Sequence, residues 1–405
     1  MTTKTDDMVS DATRVETGLE DQQLQNMARK DVLKLRPKTR LRWFYLRPIR
    51  HRELDRVTCD VLELAEPNND VSIISLIGLS GVGKTTASKL IRGNLLVRYK
   101  DEAAEGDLPV LYVEAPANGP GSLSWRVVFQ RILHAGGEFA VPSMRKARVV
   151  NGRLISSHGR AAVAELREFI ETMVRNRGVR AIIIDEALHL MRFKMNDAVM
   201  DTFKSLSDIN GLKIIIIGSY DIAELMLEYG QVARRSEIVH FQPYVTPPHV
   251  GSEQVQQDVP KNPKNCSQST DAVEFYCALQ KNLDMWPSES APNLLPIWWQ
   301  LMKVCLGSIG LLKMYLLRLA ALQMESASGK VTEAMFKKAG KSMKALDKLS
   351  IELERGRETL AHACYGESRL GADFDGLLKS LLAPPAPSNA PAAQAQQPTE
   401  APANV

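Results

Sequence analysis

Five short, almost unbroken apolar runs recur along the chain: Ile73 to Ile77, Val110 to Val113, Ala181 to Ile184, Ile214 to Ile217 and Ile238 to Phe241. They lack the polar alternation of a half-exposed strand, so each is predicted as a central strand buried on both faces of a parallel sheet. Apolar residues at helical spacing separate them, from Lys84 to about Leu95, around Trp125 to Leu133, from Ala162 to Val174 and around Met195 to Leu206. The alternation predicts an α/β domain, a five-stranded parallel sheet flanked by helices. Pro243 to Ser269 turns loop-like, with Pro247-Pro248 and Asn262-Pro263. Helical periodicity returns from Asp271 to about Gly366, where Gly307 to Gly310 forms a turn before the apolar helix Leu311 to Gln323. That second region is predicted as a small α-helical lid domain. The expected division is a disordered acidic tail over 1–28, a basic helical segment over 29–60 and the α/β nucleotide-binding domain over 61–245. A linker or insertion over 246–270, the lid over 271–366 and a C-terminal segment over 367–405 complete it.

Composition changes this picture little. The 405 residues are 44% hydrophobic and 24% charged, the balance of a globular protein able to bury a sizeable core. The net charge of +4 points to no polyanionic partner by itself, so its distribution matters more. Acids dominate the first 22 residues, whereas Arg29, Lys30, Lys34, Arg36, Lys38, Arg40, Arg42, Arg47, Arg50, Arg52 and Arg56 crowd the next stretch around Trp43, Phe44 and Tyr45. From Ala383 onward Pro, Ala, Gln, Asn and Thr predominate, which predicts a disordered tail. Five widely spaced cysteines form no C-x-x-C pair, which argues against a zinc site or a disulfide framework. No opening apolar stretch follows a basic start, and no run reaches bilayer-spanning length. A cytoplasmic protein without membrane contact is the expectation.

Gly78-Leu79-Ser80-Gly81-Val82-Gly83-Lys84-Thr85 carries the chemistry. It matches the phosphate-binding pattern G-x-x-x-x-G-K-[ST] and lies between a predicted strand and a predicted helix, the context such a loop requires. Its glycines let backbone amides wrap phosphate at a helix N-terminus, Lys84 supplies a cation to the β and γ oxygens, and the Thr85 hydroxyl is a Mg²⁺ ligand. ATP and Mg²⁺ are the cofactors this implies. The third strand ends in Asp185-Glu186, at the sheet edge where α/β folds place ligand groups. Asp185 is assigned to the Mg²⁺ shell and Glu186 to polarising the attacking water, so the chain is expected to be a Mg-dependent ATPase. Ser219, after the fourth strand, is the candidate sensor of the γ-phosphate, and Asp221 reads as a cap of the next helix. Arg234-Arg235 suits either a guanidinium reaching a neighbouring subunit's nucleotide or a solvated surface pair. His189 reads as a structural histidine.

In this order the glycine loop, Asp185-Glu186-Ala187-Leu188-His189, Gly218-Ser219-Tyr220, Ala233-Arg234-Arg235 and the Gly307-Ser308-Ile309-Gly310 turn resemble AAA+ ATPases of the TnsC/TniB transposition-regulator family. The resemblance covers about Leu41 to Gln323 and implies an AAA+ P-loop fold. It also implies ATP-dependent assembly as a homo-oligomeric ring or filament on double-stranded DNA, recruitment of a transposase with a target-selector protein, and disassembly on hydrolysis. For single residues it implies nucleotide contacts from Gly81 to Thr86, metal and water roles for Asp185 and Glu186, sensing by Ser219 and a trans arginine at Arg234 or Arg235. Many AAA+ proteins carry an arginine just after the lid turn. Here Gly310-Leu311-Leu312-Lys313 stands instead, which leaves Lys313 as a possible nucleotide contact or that contact missing. Arg145, Lys146, Arg148 and Arg153 form the favoured DNA-contacting cluster, through phosphates and without base reading. The basic N-terminal segment is suited equally to DNA and to docking on its own domain or a neighbouring subunit. The competing expectation is a signalling or defence-type switch ATPase that gates protein partners without DNA.

Overall fold

A computed structural model describes residues 20–115, 125–138, 146–150, 153–157, 163–187, 205–209, 211–228, 234–246, 270–361 and 363–365. Isoleucine-rich runs build its sheet, because β-branched side chains pack well on a pleated surface covered on both faces. The chain enters through β1 (Ile73–Gly78), β2 (Val110–Glu114), the antiparallel hairpin β3 (Lys146–Val150) and β4 (Arg153–Ser157), then β5 (Ala181–Asp185), β6 (Lys213–Gly218) and β7 (Ser236–Phe241). The five parallel strands stand in the order β2-β5-β6-β1-β7, and every residue of β1, β5 and β6 is buried. All five apolar runs are therefore strands, as their pattern predicts. The register sets Ile77 beside Gly218 and Glu114 beside Asp185, so the glycine loop, the acidic pair and Ser219 all leave the carboxyl edge of one sheet.

Before the sheet lie α1 (Asp21–Asn26), α2 (Arg29–Val32), α3 (Pro37–Leu46) and α4 (Arg52–Leu64). The disordered tail expected over 1–28 is corrected at its end: α1 is helical, buries Leu24 and is tied by an ion pair from Arg42 to Asp21. One apolar side chain in a polar run suffices because α3 supplies the surface it packs on. Within the sheet domain, α5 (Lys84–Tyr99), α6 (Trp125–Ala135), α7 (Val163–Asn176) and α8 (Asp221–Glu228) cover the strands. The helix expected around Met195 to Leu206 lies largely outside the described residues, as does 247–269 of the linker. The β3–β4 hairpin was not expected.

The lid comprises α9 (Asp271–Asp284), α10 (Trp298–Val304), α11 (Ile309–Glu325), α12 (Glu333–Ala339) and α13 (Met343–Leu360). Phe275, Trp286, Trp298, Leu312, Leu316 and Leu319 form its core, each contributing about 1.5–3 kcal/mol by burial. The basic N-terminal segment docks on this lid. Arg29 donates to the Trp286 carbonyl (2.9 Å) and the Ser288 carbonyl (2.7 Å), and Phe44 meets the Trp286 ring edge-on at 5.8 Å. Of the alternatives left open for Trp43 and Phe44, docking on the chain itself is what the structure contains. Among the described residues no single helix is long and apolar enough to cross a membrane.

Candidate nucleotide-binding site

β1 delivers the loop and α5 receives it, with Gly83 at φ 119° supplying the left-handed turn that ordinary side chains resist. Lys84 opens α5. Its Nζ donates to the carbonyls of Gly78 (2.7 Å) and Leu79 (3.0 Å), so the ammonium lies inside the loop. Burial lowers its pKa to about 8, against the opposing pull of Glu352, Asp185 and Glu186. Thr85 and Thr86 follow on the first turn of α5, where free N–H groups and the helix dipole favour an anion.

Asp185 is buried, 3% exposed, at the end of β5. Its Oδ2 accepts from the Tyr112 hydroxyl (2.9 Å) and the Ser88 hydroxyl (3.4 Å), and its Oδ1 accepts from the Glu186 N–H (2.8 Å). Burial, then Asp185 itself, pushes the Tyr112 phenol upward, so it stays a donor. The carboxylate is thus fixed in orientation from two neighbouring elements. Glu186 has φ 56°, a left-handed conformation that costs a non-glycine residue about 1–3 kcal/mol and that collects at functional sites. Ser219, 8% exposed, donates to Asp221 Oδ2 at 3.1 Å. Asp221 sits in the first turn of α8.

The lid reaches the same loop. Ser308 caps α11 by accepting from the Leu311 N–H, and its hydroxyl donates to the Gly81 carbonyl at 3.3 Å. A Cβ on Gly310 would stand 2.1 Å from that same carbonyl, so only glycine allows this approach. Leu311 covers Gly81. Lys313 is corrected as a nucleotide contact. Two residues on from Leu311 it points about 200° around the helix, where its Nζ donates to Asn282 Oδ1 (3.1 Å) and lies 3.5 Å from the Phe44 ring centroid. Burial, then Arg47, lowers its pKa to about 7.

Arg234 and Arg235 directly precede β7, and the Arg235 carbonyl accepts from the N–H groups of Ser72 and Ile73 at the start of β1. They therefore lie at the amino edge of the sheet, a strand length from their own glycine loop. Arg234 is exposed and Arg235 is ion-paired with Asp208. In the β3–β4 hairpin, Lys146 pairs in register with Ser157, Arg148 with Ile155 and Val150 with Arg153, which brings three of the four DNA candidates onto one ribbon. Arg145 and His189 lie outside the described residues. Tyr112 and Ser88, which hold Asp185, and Glu352, whose Oε1 accepts from both the Ser80 N–H (3.0 Å) and the Ser80 hydroxyl (2.9 Å), were missed. Glu352 stands 272 residues from its partner, so no local pattern could reveal it.

A five-stranded parallel sheet with this loop on β1, the acidic pair on β5 and a helical region behind is the AAA+ P-loop fold. Residues 68–226 match the family model described as an AAA domain. No curated protein sequence matches the chain. Among solved structures, the chain is similar to the Aeropyrum pernix ORC1 protein in complex with DNA, at 19% identity and TM-score 0.46 over 71% of this chain and 63% of that one. It is similar also to a Walker-type ATPase of Pyrococcus abyssi, at 14% identity and TM-score 0.43 over 77% and 75%. A third is the Aeropyrum pernix ORC2 protein in ADPNP and ADP complexes, at 14% identity and TM-score 0.39 over 81% and 84%. All three are distant, and nothing about this chain's substrates or partners follows from them.

Proposed function

We propose that the protein is a Mg-dependent ATPase that assembles as a homo-oligomer on duplex DNA and regulates transposition by recruiting a transposase. The observation that carries the ATPase part is the convergence of the Gly78–Thr85 loop with buried, triply hydrogen-bonded Asp185 at one sheet edge. The donors fit the nucleotide: the Ser80 N–H and hydroxyl already hold a carboxylate oxygen, so this part of the loop accepts an anion. Thr85 and Asp185 would hold Mg²⁺, which, when bound, neutralises charge on the β and γ oxygens. Lys84 supplies the loop's cation, and Glu186 orients and deprotonates water. Their distance from the loop of the same chain fits Arg234 or Arg235 for a neighbouring subunit's site.

The DNA part rests on the basic β3–β4 ribbon, and the transposition part on the motif order alone. Assembly tests both, by sedimentation or electron microscopy with ATP or a slowly hydrolysed analogue, with and without duplex DNA. The expected result is nucleotide-dependent rings or filaments on DNA that Arg145→Ala/Lys146→Ala/Arg148→Ala weakens. Hydrolysis that ignores DNA at every low-salt condition would discard this reading. A protein-gating switch would then take its place. One observation favours that second reading: Arg29, Arg47, Arg52 and Arg56 are spent on contacts within the chain.

A further inference from the structure

The last helix of the lid returns to the nucleotide loop. Glu352 and Gly356 are four residues apart on α13 and so share a face. Gly356 lies flat on the Tyr220 ring, where a Cβ would come within 2.2 Å of ring carbons. The Tyr220 hydroxyl meets His240 Nε2 at 3.0 Å. One turn earlier, Glu352 takes both polar hydrogens of Ser80. α13 therefore packs on Tyr220, the residue after Ser219, and holds Ser80 of the loop through a carboxylate.

A carboxylate oxygen accepting a loop amide and a loop hydroxyl occupies the position of a phosphate oxygen. Ser80 directly follows Leu79, whose carbonyl accepts from the Lys84 ammonium at 3.0 Å, the cation that in such loops serves the β and γ oxygens. The oxygen it holds is thus on the stretch of loop that the lysine reaches. Two anions cannot share those donors, and their like charges repel even at this solvent-exposed contact.

We propose that Glu352 is an internal competitor for the terminal phosphate, so that a nucleoside triphosphate expels it and loosens α13 whereas a diphosphate leaves it on Ser80. The helix thereby reads the third phosphate. Glu352 acts as a specificity-determining residue that holds triphosphate affinity down, and α13 carries the bound state to whatever it touches. This rests on the nucleotide reading given above.

The test measures binding of fluorescent ATP and ADP analogues with Mg²⁺ to the full chain and to Glu352→Gln, which keeps the shape and one acceptor but removes the charge. The expected result is a gain of about fivefold to tenfold in triphosphate affinity and less than twofold for diphosphate. Equal gains for both, no gain, or a loss would overturn the proposal. Amide hydrogen exchange over 343–360 in the unsubstituted protein needs no variant. Faster exchange with a slowly hydrolysed triphosphate than with ADP supports the proposal, and identical exchange overturns it. If the unsubstituted protein binds neither nucleotide, the nucleotide reading itself falls. If it binds both and Glu352→Gln changes nothing, only the competitor falls.

Discussion

Two buried histidines set a pH limit on the fold. His51 has its pKa lowered to about 3 by burial, then by Lys281 and Arg52, while the Tyr244 hydroxyl that accepts from the Glu53 N–H also meets His51 Nδ1 at 3.0 Å. His240 is lowered to about 4 by burial, then by Arg56 and Arg357. In the unfolded chain both titrate at the ordinary 6.5, so below that value the unfolded state binds more protons. The stability they contribute is complete above pH 6.5 and drains away as the pH falls toward 4 for His240 and toward 3 for His51. Thermal midpoints should decline across that window, and His51→Gln should flatten the slope. An unchanged slope would show that other groups control acid unfolding. Glu186 gives a second prediction at this scale. Glu186→Gln should keep nucleotide binding and lower turnover about a hundredfold or more, while Glu186→Gly should lose turnover yet gain about 1 kcal/mol of stability by releasing its left-handed strain.

Among the elements, the central strands were legible because burial on both faces leaves an unambiguous apolar run. The β3–β4 hairpin was not read, although Asn151-Gly152 between Val150 and Arg153 is the strongest short hairpin signal there is. Charged residues on β3 masked it by resembling a loop. The glycine loop and acidic pair were legible because their spacing is local. Lys313 misled because the sequence does not say which face of α11 meets the loop: Leu311 does, and the 200° between them sends Lys313 toward Phe44 instead. The docking of α13 was illegible, depending on a glycine and a tyrosine far apart in the chain. Gly356→Ala should push the helix off Tyr220 and cost about 1–3 kcal/mol. Chemical denaturation can check this, and retained stability would mean that the helix shifts at little cost.

For the molecule as a whole, the contacts of Phe44 matter more than its distance from the site suggests. It is fully buried between the N-terminal helices and the lid, against Trp286 and under the Lys313 ammonium. Phe44→Ala should cost about 3–5 kcal/mol and leave a buried cation without its ring. A single cooperative transition lowered by that amount would show that the segment folds with the lid, and a separate early transition would show that it does not. The stretch after α13 has a consequence of another kind. Tyr365 donates its N–H to the Ile238 carbonyl (2.7 Å) on β7, the outermost strand on that side of the sheet, and its hydroxyl to Glu63 Oε1 (2.9 Å). Unpaired strand borders are templates for pairing between molecules. This short return of the chain acts as a selvedge on the sheet, and a protein cut before Tyr365 would expose a raw border prone to joining its own kind in aggregates.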